Sequence, residues 1–154
     1  MPLAGETILI SDFEGDAYAA ETANDTSSST SYIDGTLHGV AFVAPTSGSV
    51  WIGFGGLVGS NATTIGLRAL ISDYVRTGSI IGSGTDVLTP SDSRAVRFYK
   101  QSTASSFLYG QASVWHKLTG LSSGADYNAI TQFRAVSDTA GIANRWIAVR
   151  PAFS

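Results

Sequence analysis

From about Gly39 to Arg150 the chain is a relay of short stretches in which apolar and polar residues alternate. Gly, Ser and Thr turns cut each stretch from the next. Alternation of period two is the signature of a strand with one buried face. Residues 40–43 open the body and are stopped by Pro45 and the turn at 46–48. Residues 49–57 follow, with Val50, Ile52 and Phe54 on one face and Trp51, Gly53 and Gly55 on the other. Glycines opposite a core face leave the backbone open to close approach. In a long strand running toward Val75, Ile65, Leu67, Ala69 and Ile71 alternate with Gly66, Arg68, Leu70 and Ser72.

Residues 78–84 read as a flexible connection, and 87–90 as an edge piece, because Pro90 cannot donate to a ladder. Residues 95–99 form a strand with Val96 and Phe98 opposite Arg97 and Tyr99. Residues 106–118 carry apolar groups on both faces. Residues 127–136 and 142–149, joined by a turn at 137–141, complete the set. Eight or so strands at this spacing predict an all-β protein, a jelly-roll-like antiparallel β-sandwich with an N-terminal arm.

The arm is residues 1–36, an acidic arm or edge segment, and the sandwich domain is residues 37–154. Within the arm, residues 6–10 are β-prone, 16–23 suit one or two helical turns, and 24–30 read as an exposed polar loop. Glu6, Ile8, Ile10 and Phe13 are the candidate arm-attachment residues, through strand addition to a neighbour. Packing across the same subunit is the alternative.

Composition narrows the classes. A chain of 154 residues is expected to be one domain with a self-sufficient core. Only 14% of residues are charged, so the exterior is neutral and hydroxyl-rich. The chain has no Cys, which removes disulfides, thiol catalysis and thiolate metal sites. The opening residues lack a basic n-region and a long apolar run, so synthesis in a cytoplasm without a secretory signal is expected. No stretch reaches the roughly 20 apolar residues of a spanning helix, so no membrane partner is expected. Seven acids and no Lys or Arg precede Arg68, whereas nine bases and five acids follow from there. Such polarity steers association unless the fold interleaves the halves. The bases are scattered and the pI is acidic, which argues against nucleic acid as a partner.

Catalytic motifs are sparse. His38 and His116 have no acidic or second His partner at ligand spacing. No G-x-S-x-G elbow occurs. In residues 53–59 the third glycine of a dinucleotide loop falls on Val58, so the run reads as a β-segment with a bulge or close backbone approach. Of the carboxylates that could pair for glycoside hydrolysis, Asp73, Asp86, Asp92 and Asp126, all but Asp73 sit in turn contexts. The expectation is a non-enzymatic chain with no cofactor and no metal. Aromatics are the residual signal: Trp51, Tyr99, Tyr109, Trp115 and Trp146 are candidate interface residues. Core packing is the alternative role, and stacking on sugars a third.

Residues 39–48 resemble the G-V-x-F-x-A-P-x-S-G opening of small virion proteins from tailed actinobacterial phages. Residues 76–88 are similar to their R-x-G-x-x-x-G-S-G-x-x-V-L loop, and 118–128 to their L-T-G-L-x-x-G-x-x-Y-N turn. Residues 144–151 resemble their R-x-I-x-V-x-P ending, so the resemblance spans about 36–152. It implies a capsid decoration or minor tail protein, located in the virion and often a homotrimer. The major capsid protein is then the partner, or a host-surface glycan for a tail or fibre module. The resemblance transfers no catalytic residue.

Overall fold

The computed structural model describes residues 16–153. Glu6, Ile8, Ile10 and Phe13 lie outside the described residues. Ten strands form: β1 (Ala17–Glu21), β2 (Asp25–Ser27), β3 (Gly39–Val43), β4 (Val50–Ser60), β5 (Gly66–Thr77), β6 (Asp86–Leu88), β7 (Val96–Lys100), β8 (Leu108–Leu118), β9 (Asp126–Ala135) and β10 (Ala140–Pro151). They make two antiparallel sheets. Sheet A has the order β1-β10-β4-β8, with β2 also on β10, and sheet B the order β3-β9-β5-β6, with β7 also on β5. From β2 onward, each connection outside the β5–β6–β7 stretch passes from one sheet to the other. With β1/β2 and β6/β7 each sharing one edge, this is the eight-position arrangement of a jelly roll.

The inward residues are those the alternation marks. Val50, Ile52, Phe54 and Val58 of β4 meet Ala69, Ile71 and Val75 of β5, with Ile142, Ile147 and Val149 of β10 closing the layer. These side chains are at most 1% exposed, which is where the apolar burial that drives folding is concentrated.

Two expectations for the N-terminal segment are corrected. The stretch expected to be helical is β1, whose residues from Ala17 to Glu21 pair with Val149 back to Arg145. A one- or two-turn helix bears the full nucleation cost, whereas the edge of β10 supplies a partner for every residue. The expected loop at 24–30 contains β2, which pairs Asp25, Thr26 and Ser27 with Ile142, Gly141 and Ala140. Residues 17–27 are thus the edge of sheet A.

The connection at 78–84 is ordered by one buried side chain. Asn128 Oδ1 accepts from the Gly82 N–H at 3.0 Å, and its Nδ2 donates to the carbonyls of Gly78 and Ser83 at 2.9 Å each. The Arg76 guanidinium adds a hydrogen bond to the Gly82 carbonyl.

Candidate functional site

The outward faces of the two sheets differ. On sheet B, Leu70, Ser72, Asn128, Ile130 and Gln132 point away from the core and are nevertheless buried. Ser72 bonds the backbone of Ser91, Gln132 donates to Asp34 at 2.6 Å, and Asn128 holds the 78–84 loop. Above Arg134, the Tyr32 hydroxyl donates to Asp92 at 2.9 Å, and Asp92 takes two bonds from Arg134. Arg134 holds the Asp92 carboxyl below its ordinary range, while burial and then Asp92 push the Tyr32 phenol up. Loops therefore roof sheet B.

Sheet A has no such roof among the described residues. Its outward positions form cross-strand rows set by register: Tyr18–Ala148–Gly53–Trp115, Ala20–Trp146–Gly55–Ser113, and Arg150–Trp51–Lys117. Tyr18 is 66% exposed, Trp51 44% and Trp115 40%. Trp115 lies down across Gly53: a Cβ added there would meet indole atoms at 2.3–2.5 Å. The missing side chain is the seat of the ring, an aromatic covering a cross-strand glycine. Trp146 leans on Trp115, with ring centroids 5.9 Å apart and planes tilted 46°. The Arg150 guanidinium sits 4.9 Å from the Trp115 ring centroid and pairs with Asp16 at 3.0 Å. The same device recurs at the far end of the face. Tyr109 lies across Gly59 and Gly141, stacks on Phe107 at 5.6 Å, and donates its hydroxyl to Asn24 at 3.2 Å.

A β-bulge sets Trp146 on this face. Ala143 pairs with Leu57 and Trp146 with Gly55, so Asn144 and Arg145 together face Gly56. Asn144 has φ 47° and Gly56 φ 154°, backbone positions suited to Asn and Gly. The extra residue shifts the phase, so Ile142 and Ile147 both point inward and Trp146 points out. It also buries Arg145, which donates to Asp25 at 2.6 Å and to the carbonyls of Asp34 and Thr36.

Of the sequence-predicted residues, Trp51, Trp115 and Trp146 come together, and Tyr109 stands at the other end of the same face. Tyr99 is exposed but stands on β7 in sheet B, away from them. Sequence reasoning missed Tyr18, Phe107 and Arg150. The helical reading of residues 16–23 hid Tyr18. The signal for Arg150 was its place four residues after Trp146, on the same side of a regular strand.

The polar groups are used internally. Asp73, fully buried on β5, receives His116 of β8 at 2.7 Å and Arg94 at 3.4 Å. Lys100 is buried with its ammonium on the carbonyls of Ala104 and Ser106. Among the described residues no three of His, Asp or Glu converge as a metal site. A shallow hollow of about 300 Å³ lies between the 78–84 loop and Asp126.

No protein-family model matches the chain, and no curated protein matches it in sequence. Among solved structures, 87% of the chain is similar to 32% of a chain in the structure of infectious bursal disease virus Gx strain, at 11% identity and TM-score 0.45. A further 88% overlap is with 23% of the Arthrobacter globiformis T6 isomalto-dextranase complexed with panose, at 12% identity and TM-score 0.34. The chain spans about a third of the first and about a quarter of the second. Likenesses at this level bear on neither family nor function.

Proposed function

We propose that this chain is a non-enzymatic virion structural protein of the capsid decoration type, bound to the outer surface of a phage head as a homo-oligomer. The observation that carries the reading is the asymmetry of the sandwich. Loops cover one sheet, while the other presents Tyr18, Trp51 and Trp115 exposed on one face, with the half-buried Trp146 leaning on Trp115. Aromatics concentrated at one place on a surface of low charge are the make-up of an interface core. The resemblance of the ordered motifs to those of actinobacterial phage virion proteins supplies the setting, and a homotrimer is the oligomer that the resemblance implies. The major capsid protein is the partner, and the buried Asp73, Arg145 and Lys100 serve as structural clips.

Immunogold labelling of intact particles with antibody against this chain tests the location. Gold distributed over heads supports decoration, and loss of head binding in a Trp51→Ala, Trp115→Ala double variant that stays folded assigns it to sheet A. The Arg150–Asp16 pair beside Trp115 favours a second reading, a tail or fibre module in which an indole stacks on a host-surface sugar and the ion pair bonds its hydroxyls. Gold confined to the tail tip, with glycan-array binders lost in the same double variant, selects that reading. Unlabelled particles overturn both.

A further inference from the structure

Strand β8 ends sheet A, and its outer edge has no strand partner among the described residues. The other sheet edges are short: β1 and β3 have 5 residues each, β2 and β6 have 3, and β7 has 5. β8 runs for 11, none of them buried, and pairs with β4 in unbroken register from Leu108–Ser60 to Leu118–Val50. It contains no Pro and no bulge, and its only Lys or Arg is Lys117. Short strands, prolines, bulges and charges are how folds keep edges from pairing, and β8 lacks the first three.

We infer that β8 is a two-fold interface, pairing antiparallel with β8 of a second copy of this chain to make one continuous sheet. The length of the strand selects the register. Only with Ser113 opposite Ser113 do all eleven residues from Leu108 to Leu118 find a partner. On the outward face that register sets Lys117 against Tyr109 and Trp115 against Gln111. On the inward face it sets Leu108 against Leu118, Ala112 against Val114, and Gly110 against His116. No two like charges face each other across the two-fold, so the register carries no cross-strand repulsion. The contact is isologous and closes at two copies, so it is distinct from any three-fold contact and independent of the virion reading. It also runs the aromatic face of each copy up to that of the other, whereas a sugar ligand leaves the edge unused.

The absence of Cys makes the test direct. Opposed strand residues lie about 4.5–5.5 Å apart at Cα, within the reach of a disulfide. Ser113→Cys in the full chain is expected to oxidise to a covalent dimer at least about tenfold faster than Ser122→Cys, an exposed turn position, because pairing raises the effective thiol concentration. Ser113→Lys and Ser113→Glu, each of which places like charges at the two-fold, are expected to run as species lacking the dimer in light scattering. An equimolar mixture of the two is expected to restore it. Equal oxidation of S113C and S122C, or no restoration on mixing charge variants whose circular dichroism is native, overturns the inference. A wild-type chain that is solely trimeric or solely monomeric at micromolar concentration overturns it too, while leaving the head location to be judged by labelling.

Discussion

Asp73 and His116 stand on opposite sheets, yet the imidazole Nε2 lies 2.7 Å from a carboxylate oxygen that is wholly removed from solvent. The second oxygen of Asp73 faces Arg94, from the connection between β6 and β7. Edge strand β8 is thereby fastened to sheet B across the open side of the sandwich. Asp73→Ala, which strands both partners, is expected to lose about 3 kcal/mol. Urea denaturation measures it, and a loss below about 1 kcal/mol would put the contact in the class of surface ion pairs.

Gly53 and Gly59 look alike in sequence but are expected to respond differently to a methyl group. At Gly53 the added Cβ meets the far end of the Trp115 side chain, which can swing away. At Gly59 it comes within 2.2 Å of the Leu108 carbonyl, which belongs to the strand backbone. Gly53→Ala is expected to fold at a cost of about 1 kcal/mol, with red-shifted Trp emission as the indole leaves the sheet. Gly59→Ala is expected to cost about 3 kcal/mol with a smaller emission change. Paired denaturation and fluorescence curves check the order.

His38 is buried, its Nδ1 has no partner among the described residues, and its Nε2 is 3.5 Å from Thr131 Oγ1. Burial, and next the nearby Arg145 charge, push its pKa down from 6.5 to about 4. The folded protein therefore holds His38 neutral where the unfolded chain protonates it. Its contribution is complete above pH about 6.5 and is lost as pH falls toward about 4, a difference of up to about 3 kcal/mol. Subtracting the stability of His38→Gln from that of wild type at each pH isolates the effect. A difference that does not change with pH would contradict it.

Arg145 is fully buried and its carboxylate partner is Asp25 on β2. Asp25→Ala is expected to destabilise by about 3 kcal/mol and to open residues 28–36 to proteolysis, because the remaining buried charge has only carbonyls. Adding Arg145→Met is expected to recover part of that loss, a non-additivity that a double-mutant cycle reads directly. Strict additivity would show that the pair is not coupled.

Asn128→Asp separates shape from hydrogen bonding. A carboxylate in place of the amide Nδ2 faces the carbonyls of Gly78 and Ser83 with no hydrogen to offer. N128D is expected to be less stable than Asn128→Ala, by about 1–2 kcal/mol, with faster amide exchange at Gly82. The reverse order would remove Asn128 as the organiser of that loop.

Strands such as β4 and β5 were legible because they run long enough for a period-two pattern to declare a buried face, as Val50, Ile52 and Phe54 do against Trp51, Gly53 and Gly55. The placement of Trp51 on an outer face follows from the same alternation, whereas that of Trp115 is set by the pairing of β8 with β4. Local pattern could not reach the first strands: residues 17–21 and 25–27 bury little of their own and take their conformation from β10. It put Leu70 opposite the core face but did not show that this position is buried, because distant loops cover sheet B. The Trp115–Gly53 seat and the Asp73–His116 clip join residues far apart in the chain, so only the register of one strand on another and the stacking of the two sheets creates them. Trp146 depends on both levels. Its strand is written in the sequence, but the side it faces is set by the bulge at Asn144 and Arg145, where buried partners for Arg145 make an extra residue more favourable than an unbroken ladder.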